Sequence, residues 1–535
     1  MKNHENKKIY NPGRNGISRR EFFELIKGGA LFSLFPSFSL AEKAKLDTRI
    51  KAKGVSAVLN DIFQVRNIPD QPFYTSTYAP GNNHHIGVDT LLDLMGEKGL
   101  KFYRSPGETA LSSPSGLIAP EDVVLIKVNA QWKYRGCTNS DLIRGLIQRI
   151  LDHPDGFTGE VVIFENGQGR GSLNCDTSSY YGNSEIHANA IDESHSFLYL
   201  VNTLFNDPRL SSFLLDPVRS TFIGNSDHVT DGYRLYENVS YPCFTTEGGR
   251  RVELKEGVWN GSGYSQNLKL INVPVLKHHD TGGSEITAAL KHMYGVVSME
   301  DGQSGYRHYF GLGETCGKMM ASVETPVLNI MDAIWVSHDS LGGYPPSTTY
   351  RANQILASQD PVALDYWAAK YVLYPVDNNT RHHPSYTGID VWLRDARDAI
   401  NNRGGLRNLD KGIVVNHVTK NEEEMQVYTR EAEVIETFNP VNPPLNFTGE
   451  KVLNRSLFFS EYINILTWEA NPENENIVEY RLYELKDGKQ SLLATVDAST
   501  FSYHHRNVLK NKTYNYALGA VNNEGVEGLP AYLIL

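Results

Sequence analysis

The sequence predicts an α/β region with a mostly parallel sheet and helices on both faces, followed by an all-β, immunoglobulin-like sandwich. The first part rests on a strand, helix, strand succession between Val123 and Phe164, because such a β-α-β unit joins parallel strands by a right-handed crossover. The second part rests on alternating apolar and polar residues after Pro444, a pattern typical of strands with one buried face. With 535 residues, the chain is long enough for two or three cores.

Composition narrows the class of protein and of partner. A hydrophobic content of 40% indicates a globular protein, and a net charge of −11 argues against nucleic acid as a partner. The cysteines are Cys137, Cys175, Cys243 and Cys316. They lack C-x-x-C spacing, which excludes a local four-cysteine iron–sulfur cluster or zinc ribbon. Long-range disulfides and buried free thiols both stay open, and we favour the thiols.

The first 41 residues are predicted to lie outside the fold. Ser18-Arg19-Arg20-Glu21 is followed by a largely apolar stretch, Leu25 to Leu40, and by the small-residue site Ser39-Leu40-Ala41. This order resembles a twin-arginine signal peptide, although a cytoplasmic amphipathic helix with a chance arginine pair is the alternative. The resemblance implies recognition by the twin-arginine export machinery, delivery to the periplasm or cell envelope, and an increased expectation of a cofactor. No later apolar run reaches membrane-span length.

The α/β part contains several recognisable elements before its centre. The sequence predicts a helix at Gly87 to Lys98, a strand that ends in Lys127-Val128-Asn129, and a helix capped by Asn139 or Ser140. A second strand, Glu160 to Phe164, follows. Lys127 and Asn129 therefore stand at a strand end, which is where open α/β sheets bind ligands.

Residues 270 to 297 form the richest stretch for chemistry. The apolar run Leu270 to Leu276 predicts a strand, and Lys277-His278-His279 follow where it should end. Ser284 is predicted to cap a helix that carries Ile286, Thr287, Lys291 and His292 and ends at Gly295.

Two later junctions complete the predicted sheet. Asn329 to Asp332 is interpreted as a strand that ends in aspartate, and Tyr350 to Ala357 as the last strand. Asp360 precedes Pro361 and is either a helix N-cap or a ligand-binding carboxylate at a strand end. Asp365 is expected to favour the positive end of that helix.

Five motifs within about residues 120–375 resemble the bacterial and archaeal family called domain of unknown function 362. They are Ile126–Asn129, Val273–His279, Ala289–Gly295 (with His292 in place of the usual asparagine), Asn329–Asp332 and Ala357–Asp365. The resemblance implies an α/β domain over residues 42–440 but no general activity. Some relatives add ferredoxin-like cysteine clusters; this chain has no such motif, so a resident cluster of that kind is not expected.

An insertion at about residues 165–268 separates the first strands from that centre. Glu185, His187, Asp192, Glu193 and His195 lie close together there. Glu193 with His195, or His187 with Asp192, would suit a metal. A polar surface loop that leads into a helix at Phe197 to Phe205 is the interpretation we favour. Asp227-His228, after a strand-like Thr221 to Ile223, is a weaker candidate.

After a stiff Asn442-Pro443-Pro444 boundary, residues 445–535 resemble a fibronectin type III domain. The motifs are Leu466-Thr467-Trp468, Val478 to Tyr483 and Asn515 to Leu518, with Tyr514 as the tyrosine corner. Trp468 would be the buried core tryptophan. The resemblance implies a spacer or a platform for protein or polysaccharide.

The candidate site residues are expected to converge, because the ends of parallel strands share one edge of a sheet. Lys127, Lys277 and Lys291 would hold an anionic group, with Asn129, His292 and Asp360 as further ligand contacts. The catalytic candidates are His279, Asp332 and Lys291. A divalent metal would be held by His279, Asp332 and His308. For each residue the alternative is a hydrogen-bonded or salt-bridged framework role.

Three functions are compatible with this pattern. The first is an exported enzyme with a metal or redox cofactor that acts on a small anionic substrate. The second is a non-catalytic envelope protein that binds an anionic ligand. The third is an adhesive or structural protein with a degenerate site, which the retained lysines and histidines disfavour.

Overall fold

The computed structural model describes residues 59–73, 83–178, 181–279, 285–302, 308–309, 311–408, 412–414, 417–432, 441–455, 460–486, 489–523, 527–528 and 530–535. The predicted signal peptide and the predicted Ser284 cap lie outside these ranges. Within them, no helix has the length and apolar character needed to cross a membrane.

The α/β part combines short strands with helices. Its strands are β1 (Asp61–Arg66), β2 (Tyr103–Arg104), β3 (Ser112–Ser113), β4 (Val123–Lys127), β5 (Glu160–Glu165), β6 (Leu210–Leu214), β7 (Gly232–Tyr236), β8 (Val239–Thr245), β9 (Arg251–Glu253), β10 (Gly257–Trp259), β11 (Tyr264–Ser265), β12 (Leu268–Asn272), β13 (Val275–His278), β14 (Ile286–Thr287), β15 (Leu328–Ser337), β16 (Thr349–Ser358), β17 (Leu406–Asn408), β18 (Gly412–Val414) and β19 (Gln426–Glu431). Its α-helices are α1 (Ile86–Glu97), α2 (Ser140–Leu151), α3 (Phe197–Tyr199), α4 (Ala289–Met293), α5 (Met299–Gly302), α6 (Leu312–Ser322), α7 (Pro361–Ala368), α8 (Tyr374–Asp377) and α9 (Thr387–Asn401). The π-helical segments Leu200–Phe205 and Ala369–Leu373 continue α3 and α7.

The large sheet is mixed, with strand order β19-β1-β16-β15-β12-β4-β5-β6; β13 pairs with β15, and β14 pairs with β13. Strands β6, β5, β4, β12 and β15 are parallel. Lys127, the last residue of β4, pairs with Asn272 on one side and Phe164 on the other, so three strand ends lie level. Strand β16 runs antiparallel to β15, and its C-terminal end therefore points to the opposite edge.

Helices cover both faces of this sheet, as predicted. Val123 and Leu125 of β4 pack into the core that includes side chains from α4, α6, α7 and α9. Val124 and Ile126 pack into the core that includes side chains from α1 and α2. The near-continuous apolar sequence of β4 follows from burial on two faces.

The insertion contributes a five-stranded antiparallel sheet, β11-β10-β9-β8-β7, which the sequence analysis did not predict. Tyr233, Phe244 and Val252 join the core that includes α6 and α9, and Phe244 stacks on Phe213 of β6 with ring centroids 4.1 Å apart. The strand predicted at Thr221 to Ile223 is wrong; only an isolated bridge joins Phe222 to Tyr233.

The C-terminal part is built from two antiparallel sheets. Its strands are β20 (Leu445–Arg455), β21 (Ser460–Glu469), β22 (Ile477–Lys486), β23 (Lys489–Asp497), β24 (Ser502–Val508), β25 (Asn515–Asn522) and β26 (Ala531–Ile534). The sheets β20-β21-β24 and β23-β22-β25-β26 share one core. Trp468 is buried in it, and the Tyr514 hydroxyl accepts the Leu509 N–H at 3.0 Å. These features agree with the predicted sandwich and tyrosine corner.

The stretch 270–297 departs from prediction in three ways. Its apolar run forms two strands, β12 and β13, separated at Val273-Pro274, where proline has no N–H for the ladder. Ile286 and Thr287 are not helical: they form β14, which pairs with His278 and Lys277. The helix begins only at Ala289, and Gly295 lies inside a following 3-10 turn instead of ending the helix.

Candidate functional site

A buried ion pair lies at the ends of neighbouring strands. Lys127 ends β4 and Glu165 ends β5, and the lysine Nζ is 2.5 Å from the Glu165 Oε2, with side-chain exposures of 1% and 4%. Gly295 packs against the pair, and a Cβ there would lie 3.2 Å from Nζ. Sequence reasoning placed Lys127 in the site but did not single out Glu165, although it also ends a predicted strand.

His292 extends this pair through a fixed tautomer. Asn272 donates its amide N–H to the Ala289 carbonyl at 3.0 Å, so its Oδ1 faces the His292 Nδ1, 2.6 Å away. Nδ1 must then carry the hydrogen, which leaves Nε2 as the acceptor facing Lys127 Nζ at 3.3 Å. Burial, and secondarily the charges of Lys127 and Lys277, lower the pKa of His292, so the ring is neutral.

The helix that carries Lys291 and His292 is anchored from another helix. The carboxylate of Asp365, on α7, accepts the N–H groups of Ala289 at 2.6 Å and Leu290 at 2.9 Å. Helix α4 has no side-chain cap of its own. Burial raises the pKa of Asp365 to about 8, while these two hydrogen bonds act in the opposite direction. Asp365 therefore positions the site, a larger role than the dipole effect that the sequence suggested.

Lys277 reaches the loop after β4. Its Nζ donates to the Gly136 carbonyl at 2.6 Å and lies 5.7 Å from the Trp132 ring centroid. Burial lowers the pKa of Lys277 to about 7, and the charges of Lys291 and Lys127 act in the same direction. Near neutral pH the side chain is thus divided between ammonium and amine, the condition for a lysine that moves protons.

His279 and His308 are neighbours beside these lysines. Their ring centroids are 5.7 Å apart, and Tyr294 stacks on His308. Burial, then the charges of Lys291 and Lys277, lower the pKa of His279 well below its usual value. Burial and the Lys291 charge lower that of His308 to about 4. Neutral imidazoles can accept protons or bind metal.

Among the residues that the structure describes, however, no three His, Cys, Asp or Glu side chains form a group that could hold a metal. The predicted metal set of His279, His308 and Asp332 is therefore not assembled there. Asp332 lies in the middle of β15, not at its end, which corrects the sequence interpretation. Its oxygens accept the N–H groups of Asn139 at 2.7 Å and Ile334 at 3.2 Å. Its pairing with His279 stays a prediction.

Asp360 lies apart from the lysines. Its Oδ1 accepts the N–H groups of Val362 and Ala363, and its Oδ2 accepts that of Thr419 at 2.8 Å. These contacts support the N-cap alternative. Because β16 is antiparallel to β15, Asp360 follows a strand that points away from the end of β4. The prediction that all these strand ends share one edge was wrong for Asp360.

The remaining predicted ligand contact is at the expected edge. Asn129 follows β4, and its backbone N–H donates to the Thr138 hydroxyl at 2.8 Å. Its side-chain Oδ1 is buried and has no hydrogen-bond partner within the described ranges. An acceptor left without a donor inside a protein is costly, so Asn129 is suited to a ligand that donates a hydrogen bond.

The electrostatics of this lysine site favour an anion. Lys127, Lys277 and Lys291 are all buried, at 1%, 1% and 6% exposure. In addition to burial, the charge of Lys127 lowers the pKa values of Lys277 and His292, and the charge of Lys277 lowers that of His292. Glu165 is a buried carboxylate that pairs with Lys127. Several cations that are buried close together are stabilised when an anion binds beside them.

The polar cluster of the insertion forms paired contacts instead of a metal centre. His187 contacts Glu193 at 2.8 Å, and His195 contacts Asp192 at 3.5 Å. The observed partners differ from those predicted, and the half-exposed or exposed acids favour the surface-loop interpretation. His228 stacks on a tryptophan, with ring centroids 4.2 Å apart.

All four cysteines are buried free thiols, as favoured from the sequence. The Cys137 thiol donates to the Tyr134 carbonyl at 3.2 Å. Burial acts to raise the pKa of the Cys137 thiol, but hydrogen bonding and, after it, the charge of Lys277 lower that pKa below its ordinary value.

Comparison with known families gives a match over the part of the chain that carries Lys277 and Lys291. Residues 250–370 match the family model named Domain of unknown function (DUF362). The match includes Lys277, His279, Lys291 and His292, and so confirms the family resemblance over this range. The DUF362 match does not include the motif at Lys127. No curated protein matches the chain.

Solved structures matching this chain include fibronectin type III-like proteins. An Fn3-like protein from Clostridium thermocellum is 30% identical, with 17% of this chain and 91% of that chain covered and a TM-score of 0.13. FN3tt is 22% identical, with 17% and 88% covered and a TM-score of 0.15. Pectate lyase Pel3 from Pectobacterium carotovorum is 14% identical, with 16% and 25% covered and a TM-score of 0.13.

Proposed function

We propose that this protein is an exported enzyme that acts on a small anionic substrate at the lysine site. The observation that carries the proposal is the burial of Lys127, Lys277 and Lys291 close enough to act on one another's charge, with Lys127 paired to Glu165. A bound substrate anion would stabilise several cations buried close together. Because the site lies where β4, β5 and the β12–β13 segment end, it is also placed as ligand sites of open α/β sheets are.

The side chains divide into two roles in this proposal. Lys127, Lys277 and Lys291 hold the anionic group, and Asn129 accepts a hydrogen bond from the substrate. Lys277, with a pKa near 7, and the neutral His279 exchange protons with the substrate. This arrangement suits removal of a proton next to an anionic group, because the neighbouring ammonium groups stabilise the negative charge that develops.

A metal or redox cofactor is the further part of the proposal. The neutral imidazoles of His279 and His308 are the described side chains best suited to contact one. Export through the twin-arginine route would agree with such a cofactor, since that route carries folded proteins. The C-terminal sandwich would then contact protein or polysaccharide at the cell envelope.

A lysine substitution tests the anion site directly. Thermal unfolding of wild type, Lys277→Met and Lys318→Met is compared with and without sodium sulfate, at constant ionic strength kept with sodium chloride. Lys318 is the matched control because it pairs with Glu314 on the outer surface of α6. Sulfate stabilises folded proteins in general, so we expect it to raise the melting temperature of wild type and Lys318→Met more than that of Lys277→Met. Equal responses of all three proteins would refute an anion site at Lys277.

Metal analysis of untagged protein separates the enzyme from its main alternative, a non-catalytic envelope protein that binds an anion. Stoichiometric metal or a coloured cofactor, lost in His279→Ala, would support the enzyme. A colourless, metal-free protein that is nevertheless stabilised by sulfate would favour the binding protein.

A further inference from the structure

A second candidate site lies at a cavity of about 250 Å³. Its walls include His85, Arg135, Asp141, Trp335 and Arg351, and none of the three lysines of the first site lines it. The loop after β4 contributes to both the cavity and the lysine site. Arg135 lines the cavity, whereas the carbonyl of the next residue, Gly136, accepts the Lys277 hydrogen bond. This cavity has no part in the proposed function above.

The first observation is a fixed and unused donor. His85 caps helix α1, and its Nδ1 accepts the N–H groups of Gly87 at 3.1 Å and Val88 at 3.3 Å. Nδ1 therefore carries no hydrogen, and Nε2 must carry one. Burial lowers the pKa of His85 to about 3, so this neutral tautomer persists. The residue is 0% exposed, and Nε2 has no hydrogen-bond partner among the residues described.

The second observation is a pair of arginines on one tryptophan. The guanidinium carbon of Arg135 lies 4.6 Å from the Trp335 ring centroid, and that of Arg351 lies 5.7 Å from it. Arg351 donates to the Pro69 carbonyl at 3.2 Å, yet its buried Nε has no partner in the described part of the chain. Two buried donors, the His85 Nε2 and the Arg351 Nε, thus belong to side chains that line one cavity.

The charges of the walls define the ligand. Arg135 and Arg351 are balanced by Asp141 and by Asp70, which pairs with Arg351. Asp141 is held in place by the Ile191 N–H, which donates to its Oδ2 at 2.7 Å. Because the walls carry no excess positive charge, a dianion such as phosphate is disfavoured, whereas one carboxylate can use the unpaired donors.

Apart from Asn139, the rest of the lining is apolar. Ile68, Pro69, Pro72, Ala190, Ile191 and Ile334 also face the cavity. We infer that this cavity binds a small monocarboxylate with a short apolar tail, its carboxylate accepting hydrogen bonds from His85 and Arg351. Ligand sites commonly combine such apolar walls with a few fixed polar groups.

The test uses butyrate as the probe, with 1-butanol as its uncharged match and inorganic phosphate as the dianion. Isothermal titration is performed on wild type, Arg351→Gln and Arg403→Gln. Arg403 is the control because it forms a surface ion pair with Glu237. We expect saturable butyrate binding to wild type and Arg403→Gln. Arg351→Gln should bind about tenfold more weakly, the effect of losing a charge-assisted hydrogen bond.

A measurement on wild type keeps the inference testable if Arg351→Gln does not fold. The chain has six tryptophans, and butyrate should shift one indole N–H signal in the nuclear magnetic resonance spectrum, the signal that Trp335→Phe lacks. Butanol and phosphate should leave it unchanged. Absence of saturable butyrate binding, equal binding to Arg351→Gln, or a shift at another tryptophan instead would each overturn the inference.

Discussion

Substitution of Glu165 by glutamine probes the central ion pair of the lysine site. In wild type the Lys127 ammonium is buried and faces the Glu165 carboxylate at 2.5 Å. Breaking a buried pair by removing one charge costs about 3 to 5 kcal/mol. Lys127 keeps its hydrogen bond to the Val128 carbonyl at 2.8 Å, and glutamine offers a neutral acceptor. We therefore expect the free energy of unfolding to fall by about 3 kcal/mol, the lower end of that range.

The pH of the measurement matters because burial raises the pKa of Glu165 to about 7. At pH 8 the wild-type carboxylate is ionised in both the folded and the unfolded protein. As the pH falls through 7, the folded protein gains a proton that the unfolded chain, with its ordinary carboxyl pKa of 4.5, does not yet bind, so the unfolding free energy of wild type rises. Glutamine does not titrate, and the difference in unfolding free energy between the two proteins should therefore grow between pH 8 and pH 6.

Urea unfolding with and without sulfate distinguishes a functional pair from a merely structural one. The matched control is Glu253→Gln, since Glu253 forms an equally buried pair with Arg234 at 2.9 Å in the insertion sheet. Both variants should lose stability. Sulfate should restore Glu165→Gln more than Glu253→Gln, because only the former leaves an added positive charge at the proposed anion site. Equal restoration, or a loss below about 1 kcal/mol in Glu165→Gln, would contradict the reasoning.

Four further predictions follow from individual residues. Because the pKa of Lys277 is lowered from 10.5 to about 7, the unfolded chain binds more protons above pH 7. Unfolding free energy should therefore rise from pH 7 toward 10 in wild type but less in Lys277→Met, and parallel pH profiles would contradict this. Asp365→Asn keeps only one acceptor for the two N–H groups that start α4, and should cost about 2 kcal/mol in urea unfolding and weaken sulfate binding; unchanged sulfate affinity would mean that the helix needs no anchor. Tyr514→Phe should destabilise an isolated fragment of residues 441–535 by about 1 kcal/mol, and a fragment without cooperative unfolding would refute an independent module. Replacing Arg19 and Arg20 by lysine should leave full-length protein in the cytoplasm, as cell fractionation would show. Normal delivery of this double variant to the envelope would contradict the export proposal.

Local sequence determined the elements whose signals are local. The apolar strand that ends in Lys127, the Asn139 and Asp360 caps, and the alternation around Trp468 all have the structure that they predict. These signals depend on neighbours within a few residues, because capping and strand alternation are short-range effects. The gathering of the lysines at the β4 edge was also predictable, since parallel strands end together.

Only the tertiary structure decided the partners of these residues. Glu165 pairs with Lys127, and Asp365 accepts the backbone N–H groups of Ala289 and Leu290. These partners are far apart in sequence, so no local pattern predicts the contacts. The direction of β16, which carries Asp360 to the opposite edge, depends on which strand lies beside it, because parallel and antiparallel neighbours can share one apolar sequence pattern. The segment Ile286–Thr287 forms a strand because it pairs antiparallel with β13. In each case long-range pairing determined the outcome, since backbone and charged groups that leave water must find a partner wherever the fold provides one.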